Sequence, residues 1–332
     1  MIVFGFTQKI IYGTENLINK SKKIIFNFVG LYDTVAAFGV DHRGKKLGKV
    51  VLLDNDTRQL NLDAISKARY VLHLASDDEY RDNFDLTNIQ SAGLCGFELM
   101  LPGVHSDIGG SYLNKEETSV LDTIGVGGIA KEKKEEAERQ KSLQYDLFIK
   151  IVVEEGWYNK SQLEKRFFEE RELDKFASWY SNAYQYNYGL VGIRDLKNTY
   201  DKIPLKIMIN KSKDDFGLKY LKTKLNDNEI NDPIINNVYN NMVQYINACV
   251  AIRNEYVDKY NGGNKQNFNE LSKEYYEKLK TAHYSSYITP EDLKQLRNLY
   301  LHWSVKSNLI GLAARHEGAL PQDQRKREKQ NG

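Results

Sequence analysis

The sequence predicts a mixed α/β fold, with a mostly parallel sheet in the first 112 residues and a large helical region after it. Two observations carry this reading. Short apolar runs separated by polar loops fill the first third, which is the pattern of strands alternating with helices. After Tyr112 the charges crowd together at 131–136, and long amphipathic stretches run on to about Arg315. A chain of 332 residues can bury a substantial core, and its formal net charge of +2 gives no overall field that would draw nucleic acid.

Four segments read as strands: 1–6, 23–30 (KIIFNFVG), 68–75 (ARYVLHLA) and 96–101 (GFELML). Between the first two, Ile10, Ile11, Leu17 and Ile18 fall at near-helical spacing. The opening is therefore a strand, helix, strand unit whose strands run parallel. Pro102-Gly103 ends the fourth strand. In the second half Asp232-Pro233 is a break and Gly262-Gly263 a loop, while Thr289-Pro290-Glu291-Asp292 starts a helix with Thr289 as N-cap and proline at its first position. The charge run at 131–139 reads as a solvated helix face or a mobile loop rather than a binding tract. The basic residues at 324–329 read as a solvated, disordered end.

Two cysteines, Cys95 and Cys249, exclude a disulfide framework and a four-cysteine zinc site. His42, His73, His283 and His316 stand at no metal-ligand spacing, so no metal and no cofactor is expected. No stretch is apolar enough to span a membrane, and the N-terminus lacks the order of a signal peptide, so synthesis in the cytoplasm is expected.

Polar residues cluster just past the strands, at the edge where open α/β sheets bind their ligands. Asp33 follows FVGLY and reads as an Asx-turn or helix cap, or as a site acid. Asp78 and Arg81 follow the third strand and read as a surface pair or as part of a site. His105, with Asp107 two residues on, follows the fourth. A histidine held by a sheet yet free at its ring suits a general base, and Gly109-Gly110 permits positive φ or a close backbone approach. His302 reads as a packing residue near a helix end. The aromatics at 157–158 and 179–188 read as helix-packing core or as a lipid-facing lid.

The segments FVGLYDTV (28–35), HLASDDEYRDNF (73–84) and ELMLPGVHSDIGGSY (98–112), taken in this order, resemble the α/β-hydrolase domain of type VI secretion phospholipase effectors, antibacterial lipases delivered into rival cells. YDKIPLKIMI (200–209) and YLHWS (300–304) extend the resemblance over most of the chain. The resemblance implies an α/β-hydrolase core over 1–125, a helical cap contacting membrane or partner over 126–320 and a basic tail over 321–332. It implies a triad histidine at His105 and an acid at Asp33, with Asp78 as the rival acid, and Asp107, Gly109 and Gly110 as support for the oxyanion loop. It further implies the phospholipid membrane of a target cell as substrate, and an immunity protein and a secretion-spike component as partners.

Such enzymes carry their serine in a Gly-Phe-Ser-Arg-Gly-type elbow, whereas here the matching position reads Gly5-Phe6-Thr7-Gln8-Lys9. Thr7 is then the hydroxyl in the nucleophile's place, with a β-methyl that crowds its rotation. No strand precedes 1–6, so two expectations stand together: an N-terminally incomplete piece of a longer effector, or a catalytically inactive paralogue that binds an immunity or secretion partner.

Overall fold

A computed structural model describes residues 25–35, 46–47, 50–51, 62–81, 84–127, 131–169, 185–262, 267–303, 305, 321, 324, 325, 327, 329 and 330. The expected strand at 1–6, the helix at 7–22, Thr7 and its elbow, and most of the 179–188 stretch lie outside the described residues.

The first third holds β1 (Val29–Tyr32), the small antiparallel pair β2 (Lys46–Leu47) and β3 (Val50–Val51), β4 (Val71–Ser76), β5 (Leu86–Thr87) and β6 (Gly96–Leu101). β1, β4 and β6 form a parallel sheet in the order β1-β4-β6, with Val29 opposite Val71 and Val71 opposite Gly96. β4 is buried along its whole length, as the central strand of a covered parallel sheet requires. The expected parallel sheet is thus present. The second strand begins at Val29 rather than at residue 23, and residues 25–28 run outside the ladder.

The chain continues through α1 (His105–Gly109), β7 (Lys115–Gly127), α2 (Lys131–Glu154), β8 (Leu163–Glu169) and β9 (Gln185–Leu196). The helices α3 (Lys202–Asp214), α4 (Lys222–Asp227), α5 (Pro233–Asn261), α6 (Phe268–Leu279) and α7 (Pro290–Leu299) follow. Thr289 is the helix cap the sequence predicts, and the break at Asp232-Pro233 is a helix start as well. Asp232 Oδ1 accepts from the Ile234 and Ile235 amides, and Thr289 Oγ1 accepts from the Asp292 amide at 3.1 Å, each with proline at the first helical position.

A second sheet departs from the expected mainly helical region: β7, β9 and β8 pair antiparallel in that order. Its centre was hidden in the sequence because the inward positions are partly polar. Glu117, Ser119 and Arg194 all point into the core, so the apolar alternation that marks a strand is interrupted. Tyr188 on β9 packs against Tyr145 and Phe167 with ring centroids 5.5 and 4.8 Å apart, which makes this aromatic a core residue rather than part of a lid.

Helices α5 and α6 cover one face of the parallel sheet and are tied to it by tyrosine hydroxyls. Tyr245 accepts from the Met100 amide at 3.2 Å, Tyr275 donates to the Gly96 carbonyl at 3.1 Å, and Tyr276 donates to the Ile89 carbonyl at 3.0 Å. These contacts seat the helices directly behind β6, the strand that leads into α1.

The basic end is also a departure. β10 (Lys329–Gln330) pairs parallel with β5, and Arg327 is buried, so this end is docked rather than solvated. The open edge of β5 offers backbone donors and acceptors that an extended segment satisfies.

Two glycines separate backbone strain from crowding. Gly156 has φ 83°, and a Cβ there would lie 2.5 Å from the Cα of Lys294; Gly217 has φ 66° and open space around it. Gly156→Ala is expected to cost at least about 2 kcal/mol and Gly217→Ala about 1 kcal/mol, read as the difference between their thermal unfolding curves.

Candidate functional site

All three parallel strands release their chains at one edge, and polar residues gather there. Asp33 leaves β1 with φ 42°, a left-handed conformation that aspartate tolerates better than most residues. Its amide donates to the Leu74 carbonyl at 2.7 Å, and its fully buried carboxylate turns across the end of β4. There Oδ1 accepts from the Ser76 amide at 2.7 Å.

His105 reaches the same carboxylate from the other side. β6 ends at Leu101, Gly103 takes φ 105°, and α1 begins with His105 itself. The Nδ1–H of His105 donates to Asp33 Oδ2 at 2.8 Å. With Nδ1 committed, Nε2 is the nitrogen left for proton transfer, and the side chain is 21% exposed. The Phe84 ring stands edge-on to the imidazole at 5.4 Å.

The structure therefore joins His105 to Asp33 across β4 and not to Asp78, although β4 is the nearer strand. Asp78 points the other way. Its Oδ2 accepts from the Gly103 amide at 2.8 Å, its Oδ1 accepts from the Tyr80 hydroxyl at 3.3 Å, and the Arg297 guanidinium lies 3.7 Å away. Asp78 thus braces the turn that presents His105.

Electrostatics separates the two acids as well. Burial would raise the Asp33 carboxyl, but the charge of Arg327 and the hydrogen bonds from His105 and Arg327 outweigh it, and Asp33 is held ionised far below the usual carboxylate range. Burial dominates at Asp78, whose carboxyl is pushed up to about 6. The carboxylate that meets the imidazole is thus the more firmly ionised of the two.

Asp107 has a supporting place. One of its oxygens accepts from the Val104 amide at 3.0 Å and the His302 amide at 3.1 Å, and the other accepts from His302 Nδ1 at 2.7 Å. His302 is buried and stacks on Tyr112 at 3.5 Å, in agreement with a packing reading. Gly110 closes α1 in the left-handed region with φ 68°, while Gly109 has open space where a Cβ would stand. Asp107, Gly109 and Gly110 thus shape the first turn around His105.

Three site residues were not singled out in the sequence. Glu79 accepts from the His105 amide at 3.3 Å and is held by Arg81 through bonds of 2.8 and 2.6 Å. Ser76 supplies an amide to Asp33, and Arg327 grips the same carboxylate. Glu79 and Ser76 stand within the HLASDDEYR segment, so that signal was at hand; Arg327 sits in a basic run with no local mark of burial. His73 is a core residue, its Nδ1 donating to Glu98 Oε2 at 3.0 Å while its Nε2 accepts from the Thr34 amide. Among the described residues no group of three metal-binding side chains occurs, and no helix is long and apolar enough to cross a membrane.

Residues 11–140 match the family model of the type VI secretion (T6SS) phospholipase effector Tle1-like catalytic domain. The match includes Asp33, Asp78, His105 and Asp107, and it leaves out Thr7, His302 and Arg327. No curated protein matches the chain. Among solved structures, the Tle1 effector bound to the VgrG spike of the type 6 secretion system is similar at 17% identity, over 92% of this chain, with a TM-score of 0.49. The present chain covers 58% of that protein's length.

The shift at Asp78 has a consequence for stability. Its folded-state carboxyl, at about 6, binds a proton more tightly than an unfolded aspartate at about 3.9, so its contribution is fully present below about pH 4 and lost as pH rises through 6. Urea unfolding is expected to show a gain in stability from pH 7 to pH 5 that Asp78→Asn removes. Asp33, shifted the opposite way, acts in a separate window below about pH 4, where its contribution fades.

Proposed function

We propose that this chain carries the acid and base of an ester hydrolase of the phospholipase effector type, built on an α/β-hydrolase core. The observation that carries the reading is the 2.8 Å bond between His105 Nδ1 and a fully buried, ionised Asp33, inside the segment that matches the phospholipase effector catalytic domain. In this mechanism a hydroxyl nucleophile gives its proton to Nε2 of His105 and attacks an acyl ester carbonyl. Asp33 fixes the tautomer and stabilises the imidazolium that forms. His105 then returns the proton to the leaving alcohol, and a second cycle with water releases the acid.

In this reading Thr7 stands in the nucleophile's position, backbone amides of the loop shaped by Asp107, Gly109 and Gly110 support the oxyanion, and residues 126–320 cap the core, with the basic segment at 321–332 after them. The substrate class is the acyl ester of membrane phospholipids in a target cell. The partners proposed with it are a secretion-spike component and an immunity protein, with export by a type VI system. A second reading is favoured by one observation, Thr7-Gln8-Lys9 where a serine elbow is expected: an inactive relative that keeps the fold to bind such a partner.

Hydrolysis of a short-chain p-nitrophenyl ester and of phospholipid vesicles separates the two readings. For the hydrolase, His105→Ala and Asp33→Asn are expected to lower kcat/KM by about a thousandfold or more, Asp78→Asn by far less, and Thr7→Ser to raise it. Turnover that is absent in the chain and in Thr7→Ser, with both folded, supports the binding protein. Turnover that survives His105→Ala discards the proposed base.

A further inference from the structure

The Asp33 carboxylate has a partner from far along the chain. Arg327, 294 residues on, lays its fork along both oxygens: Nη1 donates to Oδ1 at 2.6 Å and Nη2 to Oδ2 at 3.0 Å. Nη1 also donates to the Ser76 carbonyl at 3.1 Å and its hydroxyl at 2.8 Å, and Nε donates to the Phe84 carbonyl at 2.6 Å. Both side chains are buried. The arginine is delivered by paired backbone rather than by a loose end, since β10 lies along β5, the Gln330 carbonyl accepts from the Asn88 amide at 2.9 Å, and Gln330 Nε2 donates to Asp85 at 2.8 Å.

A buried carboxylate beside an imidazole favours the imidazolium and tends to lock the two as an ion pair, in which His105 could accept no further proton. Three carboxylates near His105 each meet a guanidinium, while Asp107, on the same helix as His105, meets the His302 ring. Asp33 faces His105 from the end of β1 and is matched by Arg327; Glu79 faces it from the turn after β4 and is matched by Arg81; Asp78, behind Gly103, is matched by Arg297. A bidentate guanidinium also fixes the plane of the carboxylate it holds, which a point charge would not do.

The geometry points to Arg327 as a positioning residue of the His105–Asp33 pair: its fork sets the Asp33 carboxylate in plane, and its charge offsets the pull of that carboxylate on a proton at His105. The inference rests on the reading of His105 as a general base, and it adds a residue outside the matched catalytic domain to the machinery.

The His105 ring titration, followed by NMR in the full chain, tests it. Arg327→Gln, which keeps hydrogen-bonding capacity without charge, is expected to raise the His105 midpoint by about one pH unit, a tenfold gain in proton affinity. Arg327→Met is expected to do the same and serves if the glutamine variant does not fold. Arg327→Lys, which keeps the charge, is expected to hold the midpoint within about 0.3 units, and Gln330→Ala, which removes a side-chain bond to Asp85 and keeps the backbone pairing of β10, to leave it in place. A midpoint unmoved in the neutral variants, or one raised by a full unit in Arg327→Lys, overturns the proposal and leaves Arg327 as an anchor for β10. The titration needs no turnover, so a failure here stands apart from a failure of the hydrolase reading, which His105→Ala decides through ester hydrolysis.

Discussion

One buried guanidinium holds the two sheets in register with the site. Arg194, on the central strand of the antiparallel sheet, donates from Nε to Glu117 at 2.9 Å and from its terminal nitrogens to the carbonyls of Trp157, Arg297 and Leu301 at 2.6, 2.7 and 2.8 Å. A buried charge is tolerable only when its hydrogen-bonding capacity is met, and here a carboxylate and three carbonyls meet it. The effect is to fix the end of α7 and the strip at 301–303 against the sheet. His302 in that strip donates to Asp107, Asp107 accepts from the Val104 amide, and Val104 immediately precedes His105. The orientation of the imidazole is thus tied through five residues to a strand that the parallel sheet does not contain.

The same edge holds two aspartates with different fates. Asp78 follows the strand that is central in the parallel sheet and is the nearer in sequence to His105, yet it turns inward to brace Gly103 and meet the Tyr80 hydroxyl. Asp33 follows the outer strand, and its left-handed backbone swings the carboxylate over Ser76, where four donors converge on it. Burial outweighs the partners of one acid and raises its carboxyl to about 6; the donors and the guanidinium charge outweigh burial at the other and hold it ionised. Role follows from surroundings that are set by one backbone torsion.

Much of the site could be read from local pattern. The GFELML strand, its Pro-Gly stop and the histidine after it are short-range features, and the structure reproduces them at Gly96–Leu101 and His105. Thr289 as a helix cap was legible for the same reason. Whether Asp33 or Asp78 meets His105 was not, because that choice depends on how three strands are ordered in space. The antiparallel sheet escaped notice since Glu117 and Arg194 occupy inward positions where strand patterns show apolar residues. Arg327 was read as solvated because a basic run carries no sign of the carboxylate it meets. In each case the missing information was a long-range electrostatic pairing, which no periodicity encodes.

The span between Asp33 and Arg327 bears on how the molecule assembles. Closing a loop of 294 residues costs chain entropy, and that cost falls once the parallel strands and the helices behind them have condensed, so a pairing of this length is favoured after them. An interaction absent from the folding transition state acts on the rate of unfolding and hardly on the rate of folding. The arginine that completes the electrostatics of the site is in this sense also a latch: it adds little to the search for the native state and lengthens the lifetime of that state once reached.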